Sequence, residues 1–227
     1  MNKKSEKLYL ILAGIFVASL VSCNLIFQKF FQIDIWVPFY GNYTFQQSVG
    51  LLPYPITFIV TDIISEIYGK RKANDVVTTG LIASLFMLLI VTISDIIPSA
   101  PFGIGSEIFS KVFGLSSAAV FASMLAYLIA QLVDIRIYHF WKKLTKGKLL
   151  WLRNNFSTFS SQFIDSCLVI GLLCFFDILS WDLFWGLVLS AIIFKVFVAL
   201  IDTPFLYFFV WLLRKKFNLK INEEIKY

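Results

Sequence analysis

Long apolar runs alternate with short basic clusters along most of this chain. A helix crossing the hydrocarbon core of a bilayer needs roughly 20 mostly apolar residues. Six segments qualify: 8–31, 49–68, 76–97, 115–140, 156–176 and 183–213. The pattern predicts an all-α integral membrane protein of six transmembrane helices, forming one domain over residues 1–227. Pro53 and Pro55 predict a kinked or unwound entry to the second span, and Pro204 a tilt or kink in the long sixth. Residues 32–47 are rich in aromatic and β-branched side chains around Tyr40-Gly41-Asn42. That suits either a short β-hairpin in the first outer loop or an irregular interfacial loop with aromatic anchors. Residues 103–113 read as a short amphipathic turn on the membrane surface.

Composition narrows the class. Of 227 residues, 59% are hydrophobic, 18% aromatic and only 15% charged, with a mean hydropathy of +0.80. A soluble domain carries about 45–50% apolar and about 25% charged residues. A soluble enzyme, a disordered chain and a disulfide scaffold are therefore excluded. The net charge of +6 is no nucleic-acid footprint, because the cations sit between apolar runs. Sixteen of the 20 Lys and Arg residues lie before the first span, after the second, between the fourth and fifth, and after the sixth. The positive-inside rule then places both termini in the cytoplasm.

Several features invite a narrower reading and do not support it. Leu20-Val21-Ser22-Cys23 after Lys3, Lys4 and Lys7 imitates a lipoprotein signal, but the apolar stretch continues to Phe31 and five more spans follow. Cys23, Cys167 and Cys174 fall within spans, lack metal-ligand spacing and read as small packed hydrophobes. No nucleotide-binding, hydrolase or metal motif occurs, so no enzyme and no cofactor are expected. His139, at a span boundary, reads as interfacial filling. Gly14, Ala18 and Ser22 recur every four residues and predict a packing face against another span.

The polar residues inside the spans carry the functional signal. An ionised side chain at the bilayer centre costs about 2.5–3.5 kcal/mol on insertion scales, so such groups face a bundle interior or a wet cavity. Asn24 and Gln28 share a face of the first span, and Asp62 and Glu66 one of the second. Gln131, Asp134 and Tyr138 line up on the fourth, Thr158, Gln162 and Asp165 on the fifth, and Lys195 and Asp202 on the sixth. The third has no ionisable residue from Val76 to Ser94 and reads as scaffold. Asp62, Asp165, Lys195 and Asp202 fall nearest the midplane and point to a functional cavity. Glu66, Tyr138 and Arg136 lie where snorkelling is cheap and fit a structural role equally well. Of the charged residues on these faces, Asp62, Glu66, Asp134, Asp165 and Asp202 are set against Arg136 and Lys195, a balance of −3. That imbalance implies shared protons or a ligand that donates hydrogen bonds or positive charge. Lys195 itself should be held by a carboxylate, Asp202 or a neighbour on another span. Before the fifth span, Arg153-Asn154-Asn155 and the hydroxyls after it predict a polar path from the cytoplasm, with Asn154 or Asn155 as helix cap.

Two long segments resemble one family. Residues 53–73, PYPITFIVTDIISEIYGKRKA, resemble the second-span signature of the queuosine-precursor transporter family, also called the vitamin-uptake-transporter family. Residues 123–165 resemble its longest shared stretch, through Ser123, Tyr127, Gln131, Asp134, Leu150, Trp151, Arg153, Asn154, Asn155, Ser157, Thr158, Gln162 and Asp165. Lys195 and Thr203-Pro204 followed by Tyr207 also look like the family. Phe156 and Arg136 depart from it, where glycine and a neutral residue are usual.

The resemblance implies a multi-pass importer in a bacterial inner membrane. Its substrates would be 7-cyano- or 7-aminomethyl-7-deazaguanine, or queuine, supplied to tRNA modification without direct contact with nucleic acid. The substrate-binding residues expected are Asp62, Glu66, Gln131, Asp134, Asn155, Gln162, Asp165 and Lys195, with Asn24 and Asp202 behind them. Partners are the small-molecule deazaguanine and the lipid bilayer; oligomeric state stays open, a homodimer included. Two other readings stay open at this level: the membrane-embedded substrate-binding subunit of a vitamin ABC importer, and a membrane scaffold without transport.

Overall fold

The structure is a computed structural model and describes residues 3–27, 29–37, 41–113, 117–177, 179–221 and 223–225. Among them, seven α-helices and one two-stranded sheet form in the order α1 (Lys3–Ile26), β1 (Phe30–Val37), β2 (Gly41–Ser48), α2 (Tyr54–Ile67), α3 (Lys70–Ile96), α4 (Ser106–Phe113), α5 (Ser117–Leu144), α6 (Leu150–Phe175) and α7 (Phe184–Phe217). Five of these stretches, with α2 counted from Val49 and α7 from Trp181, are long and apolar enough to cross a membrane. α5, the polar-striped helix of 28 residues, is not among them.

Most boundaries follow local chemistry. The hairpin forms, with Phe30 opposite Ser48 and Val37 opposite Gly41; residues 38–40 lie outside the described residues. It corrects the first span: α1 ends at Ile26, because the chain is already a strand at Phe30. A single 3-10 turn at Val49–Leu51 precedes α2, whose N-terminus holds Pro53 and Pro55 where a missing N–H leaves no helical bond unmade. α2 and α3 are separated only by Tyr68 and Gly69, the latter at φ +83. Lys70, Arg71 and Lys72 are therefore the first turn of α3 and not a loop. The expected surface turn is the helix α4.

Two further expectations are corrected. α6 begins at Leu150, so Arg153, Asn154 and Asn155 lie inside its first turns; its cap is Leu149, with no side-chain bond. The last polar residues of the presumed loop are thereby carried into the bundle. α7 extends from Phe184 to Phe217 with Pro204 inside it. In α1 the buried side is Leu12, Phe16, Ser19, Leu20 and Cys23, while Gly14 and Ala18 are exposed and nothing lies within 4 Å of a Cβ placed on Gly14. The small-residue stripe is thus not the face that packs within the chain. Close approach instead occurs at Gly80 of α3, where an added Cβ would lie 2.5 Å from the Phe16 ring.

α2 is the axis of the bundle and packs against α1, α3, α5 and α7, while α5 pairs extensively with α6 and α6 with α7. The buried share of the spanning stretch is 61% for α2 but 11% for α7. α7 turns Phe197, Phe205, Phe208 and Trp211 outward, and α3 turns out Phe86 and Leu89. Water would not tolerate such a surface; lipid does, since hydrocarbon chains are as apolar as these side chains. The polar residues of α2, α5 and α6 face inward, which is where the candidate site lies.

Candidate functional site

A cavity of about 310 Å³ opens between α1, α3, α5, α6 and α7 at the end that carries the hairpin. Ser48 and Gly50 form part of its rim, and Asn24, Ser84, Ser123 and Tyr127 line its walls among apolar residues. Asn24 of α1 donates to the Ser84 hydroxyl at 3.4 Å. Small-molecule sites have this build, mostly apolar walls with a few placed polar groups.

Asp165 and Lys195 stand at this cavity. The Lys195 ammonium lies 2.5 Å from Asp165 Oδ2 and 3.1 Å from the Ser166 hydroxyl. The Tyr54 hydroxyl donates to the same Asp165 Oδ2 at 2.9 Å, and the Lys195 ammonium sits 5.4 Å from the centre of the Tyr54 ring. Both donors meet one carboxylate oxygen. Asp165 is buried, so in a low-dielectric setting this pair holds only while its geometry is kept. Of the two expected partners, Asp202 or a carboxylate on another span, the structure gives the second, Asp165 of α6. Lys195 and Asp202 do share a face about two turns apart, but Lys195 meets Asp165 and Ser166 of the neighbouring α6 instead.

Two narrow crevices lie beside the cavity. One shares Tyr54 and Lys195 with it and adds Gln162, Thr158 and Asp202; the next adds Asp62 and Asn154. Gln162 Oε1, Asp62 Oδ1 and Asp134 Oδ2 are buried without a hydrogen-bond partner among the described residues. Asp134 Oδ1 accepts from Ser161 at 3.0 Å. Gln131 donates to the Tyr127 hydroxyl at 2.8 Å and accepts from Thr61 at 3.4 Å. Asn155 is a tie between helices, donating to the Trp151 carbonyl at 2.8 Å and accepting from Thr203 of α7 at 3.3 Å.

Glu66 occupies a different place, at the opposite, cation-rich end. Arg153 Nη2 lies 2.6 Å from its carboxylate, Lys142 3.7 Å, and Arg214 in direct contact. The Tyr138 hydroxyl donates to it at 2.8 Å and accepts from Arg153 Nε at 3.2 Å. Lys142 also binds Glu224 at 2.7 Å, and the Ile225 amide donates to the Ile67 carbonyl at 2.8 Å, so the C-terminal segment is strapped across this end.

The charge balance drawn from the sequence is revised accordingly. Lys142, Arg153 and Arg214, assigned to the rim, turn inward onto Glu66, and Arg136 is exposed. Asp62, Asp134 and Asp202 have no cation within salt-bridge distance among the described residues. The structure thus brings Asp165, Lys195 and Asn24 to the cavity and Gln162, Asp202 and Asp62 to the crevices. Gln131 and Asp134 stand behind them, and Glu66 and Asn155 are held elsewhere. Gln28 lies outside the described residues. Tyr54 and Ser166 were not expected; a hydroxyl beside Pro55 at a broken helix start, and one beside Asp165, were the available signals.

Residues 48–209 match the family model described as "putative vitamin uptake transporter". The chain belongs to that family. A Bacillus subtilis (strain 168) protein named "probable queuosine precursor transporter" is 27% identical over 161 residues, covering 70% of each chain. No solved structure matches. This member of the vitamin uptake transporter family is accordingly a multi-pass membrane transporter and not an enzyme. Its partners are a small-molecule substrate and the lipid bilayer. The matched region covers the cavity's α2, α3, α5, α6 and α7 walls and leaves out all of α1.

Proposed function

We propose that this transporter imports queuosine precursors, 7-cyano- or 7-aminomethyl-7-deazaguanine or queuine, across a bacterial inner membrane. The observation that carries the reading is the Asp165–Lys195–Tyr54 constellation at a cavity of about 310 Å³. A guanine-like edge offers adjacent N–H donors beside a carbonyl acceptor. A carboxylate accepts two such donors in parallel, and an ammonium or phenol beside it serves the carbonyl or ring nitrogen. Tyr54, Tyr127 and Phe58 cluster with centroids 5.3 to 6.5 Å apart and supply faces for a flat bicycle. The name of the Bacillus subtilis relative supports the same substrate class.

The working cycle follows from the two ends. The cavity has Ser48 and Gly50 at its hairpin end, the crevices beside it are narrow, and in this proposal the Glu66 cluster closes the far end. Substrate enters at the hairpin end and takes over part of the hydrogen bonding of Lys195. It then passes Gln162, Asp202 and Asp62 once the far end parts. In this proposal α5 supplies a sixth span and both termini are cytoplasmic. Labelling of single cysteines at positions 71 and 146 by an impermeant reagent should fail in intact cells and succeed after permeabilisation; labelling in intact cells would reverse the orientation.

The deciding experiment is uptake of radiolabelled deazaguanines by cells lacking their own importer. It is paired with melting of the purified protein across purines and deazapurines. Deazaguanines should be taken up and should raise the melting temperature. Stabilisation by a vitamin but by no deazaguanine would assign the cavity to another substrate.

A further inference from the structure

A second cavity, of about 520 Å³, lies at the cation-rich end between the start of α6 and the end of α7. Lys148, Arg153, Arg214 and Lys215 line it, and no carboxylate does so among the described residues. Two of its cations are incompletely used. Arg153, only 1% exposed, spends Nη2 on Glu66 and Nε on Tyr138, yet its Nη1 has no acceptor among the described residues. Arg214 reaches Glu66 with Nη2, and its Nε has none either. Glu66 already serves three cations and cannot satisfy both. Arg153 and Arg214 line one cavity from two helices with guanidinium nitrogens left unmatched, which calls for an anion with several acceptor oxygens, and the planar fork of arginine suits phosphate.

We propose that this cavity binds the phosphate of an anionic phospholipid headgroup. The surroundings favour a lipid over a soluble anion. Trp211 and Tyr207 line the cavity and are also exposed on the outer side of α7, continuing into exposed Phe208 and Leu212. Amphipathic aromatics of this kind sit at headgroup depth, and the apolar run beside them accommodates an acyl chain. Lys215 stacks 5.4 Å from the centre of the Trp211 ring, which keeps a cation at the mouth. Basic pockets between spanning helices take acidic headgroups on the same grounds. The site is independent of which molecule the hairpin-end cavity carries.

The test compares the full-length protein in phosphatidylcholine nanodiscs with and without phosphatidylglycerol. Native mass spectrometry reads retained lipid and thermal melting reads stability. Wild type should retain phosphatidylglycerol and melt about 3 °C or more higher with it. Lys148→Gln combined with Lys215→Gln changes two exposed residues that do not touch Glu66. That variant should melt like wild type in phosphatidylcholine and lose most of the phosphatidylglycerol shift. Equal retention and equal shift in variant and wild type, or no preference for phosphatidylglycerol, would overturn the proposal. Inorganic phosphate or glycerol 3-phosphate, added to phosphatidylcholine nanodiscs, should do little. If either reproduced the full shift, the site would belong to a soluble anion and the lipid assignment would fall.

Discussion

Asp165 and Glu66 are both buried carboxylates on inner helices, and both accept from a tyrosine, but their settings oppose each other. Asp165 has one cation, Lys195, and a cavity beside it. Glu66 has Arg153, Arg214 and Lys142 around it, from three other helices, and lines none of the cavities described. A carboxylate with one partner and free space can exchange that partner for a ligand. A carboxylate clasped by three cations is a fastening. Burial and charge are alike at the two sites; what differs is the space next to them and the number of counter-charges. In the proposed reading Asp165 binds substrate and Glu66 fastens the helices.

Substitutions can break that division. The largest effect is expected at the cavity: Asp165→Asn and Lys195→Ala should each reduce uptake by about a hundredfold or more, since removing one partner of a buried pair costs about 3–5 kcal/mol. Radiolabelled uptake, normalised to protein in the membrane, measures this, and transport near the wild-type level in either variant would make the pair structural. Replacing both, as Asp165→Asn with Lys195→Met, should bring melting back to within about 1 kcal/mol of wild type while uptake stays absent. Recovery of uptake in the double variant would remove the pair from the substrate path.

Glu66→Gln should act the other way. It leaves three cations facing one another and should lower stability by about 3–5 kcal/mol, seen as reduced melting temperature and reduced protein in the membrane. Uptake per folded molecule should fall by less than about tenfold, because no substrate hydrogen bond is lost. A Glu66→Gln protein that melts like wild type but takes up nothing would return Glu66 to the site. The smallest effect is expected at the cavity wall. Asn24→Ala removes one neutral bond to Ser84, worth about 0.5–1.5 kcal/mol, and should raise KM by about two- to tenfold with little change in maximal rate.

Much of this was legible along the chain because helices are local structures. Run length and hydropathy predicted most of the spans, and period decided which side of each was polar, so Asp62, Gln131, Asp134, Gln162 and Asp165 were all placed inward correctly. Proline marked the irregular start of α2. The ends were less legible. Phe30 and Phe31 are as apolar in a strand as in a span, and Asn154 and Asn155 are as polar inside a buried helix as at its cap.

The sequence by itself determined that this protein lies in a membrane, that long apolar helices build it, and that carboxylates and a lysine face its interior. Length, composition and periodicity act within single helices and need no knowledge of neighbours. The tertiary structure decided which charge meets which. Lys195 sits 7 residues from Asp202 and 30 from Asp165, yet it binds Asp165, because α6 packs against that turn of α7. Arg214 lies 148 residues from Glu66 and closes on it from the far end of the chain. Such pairings depend on helix crossings, and lipid-facing apolar stripes, alike on every side, leave those crossings unwritten in any one helix.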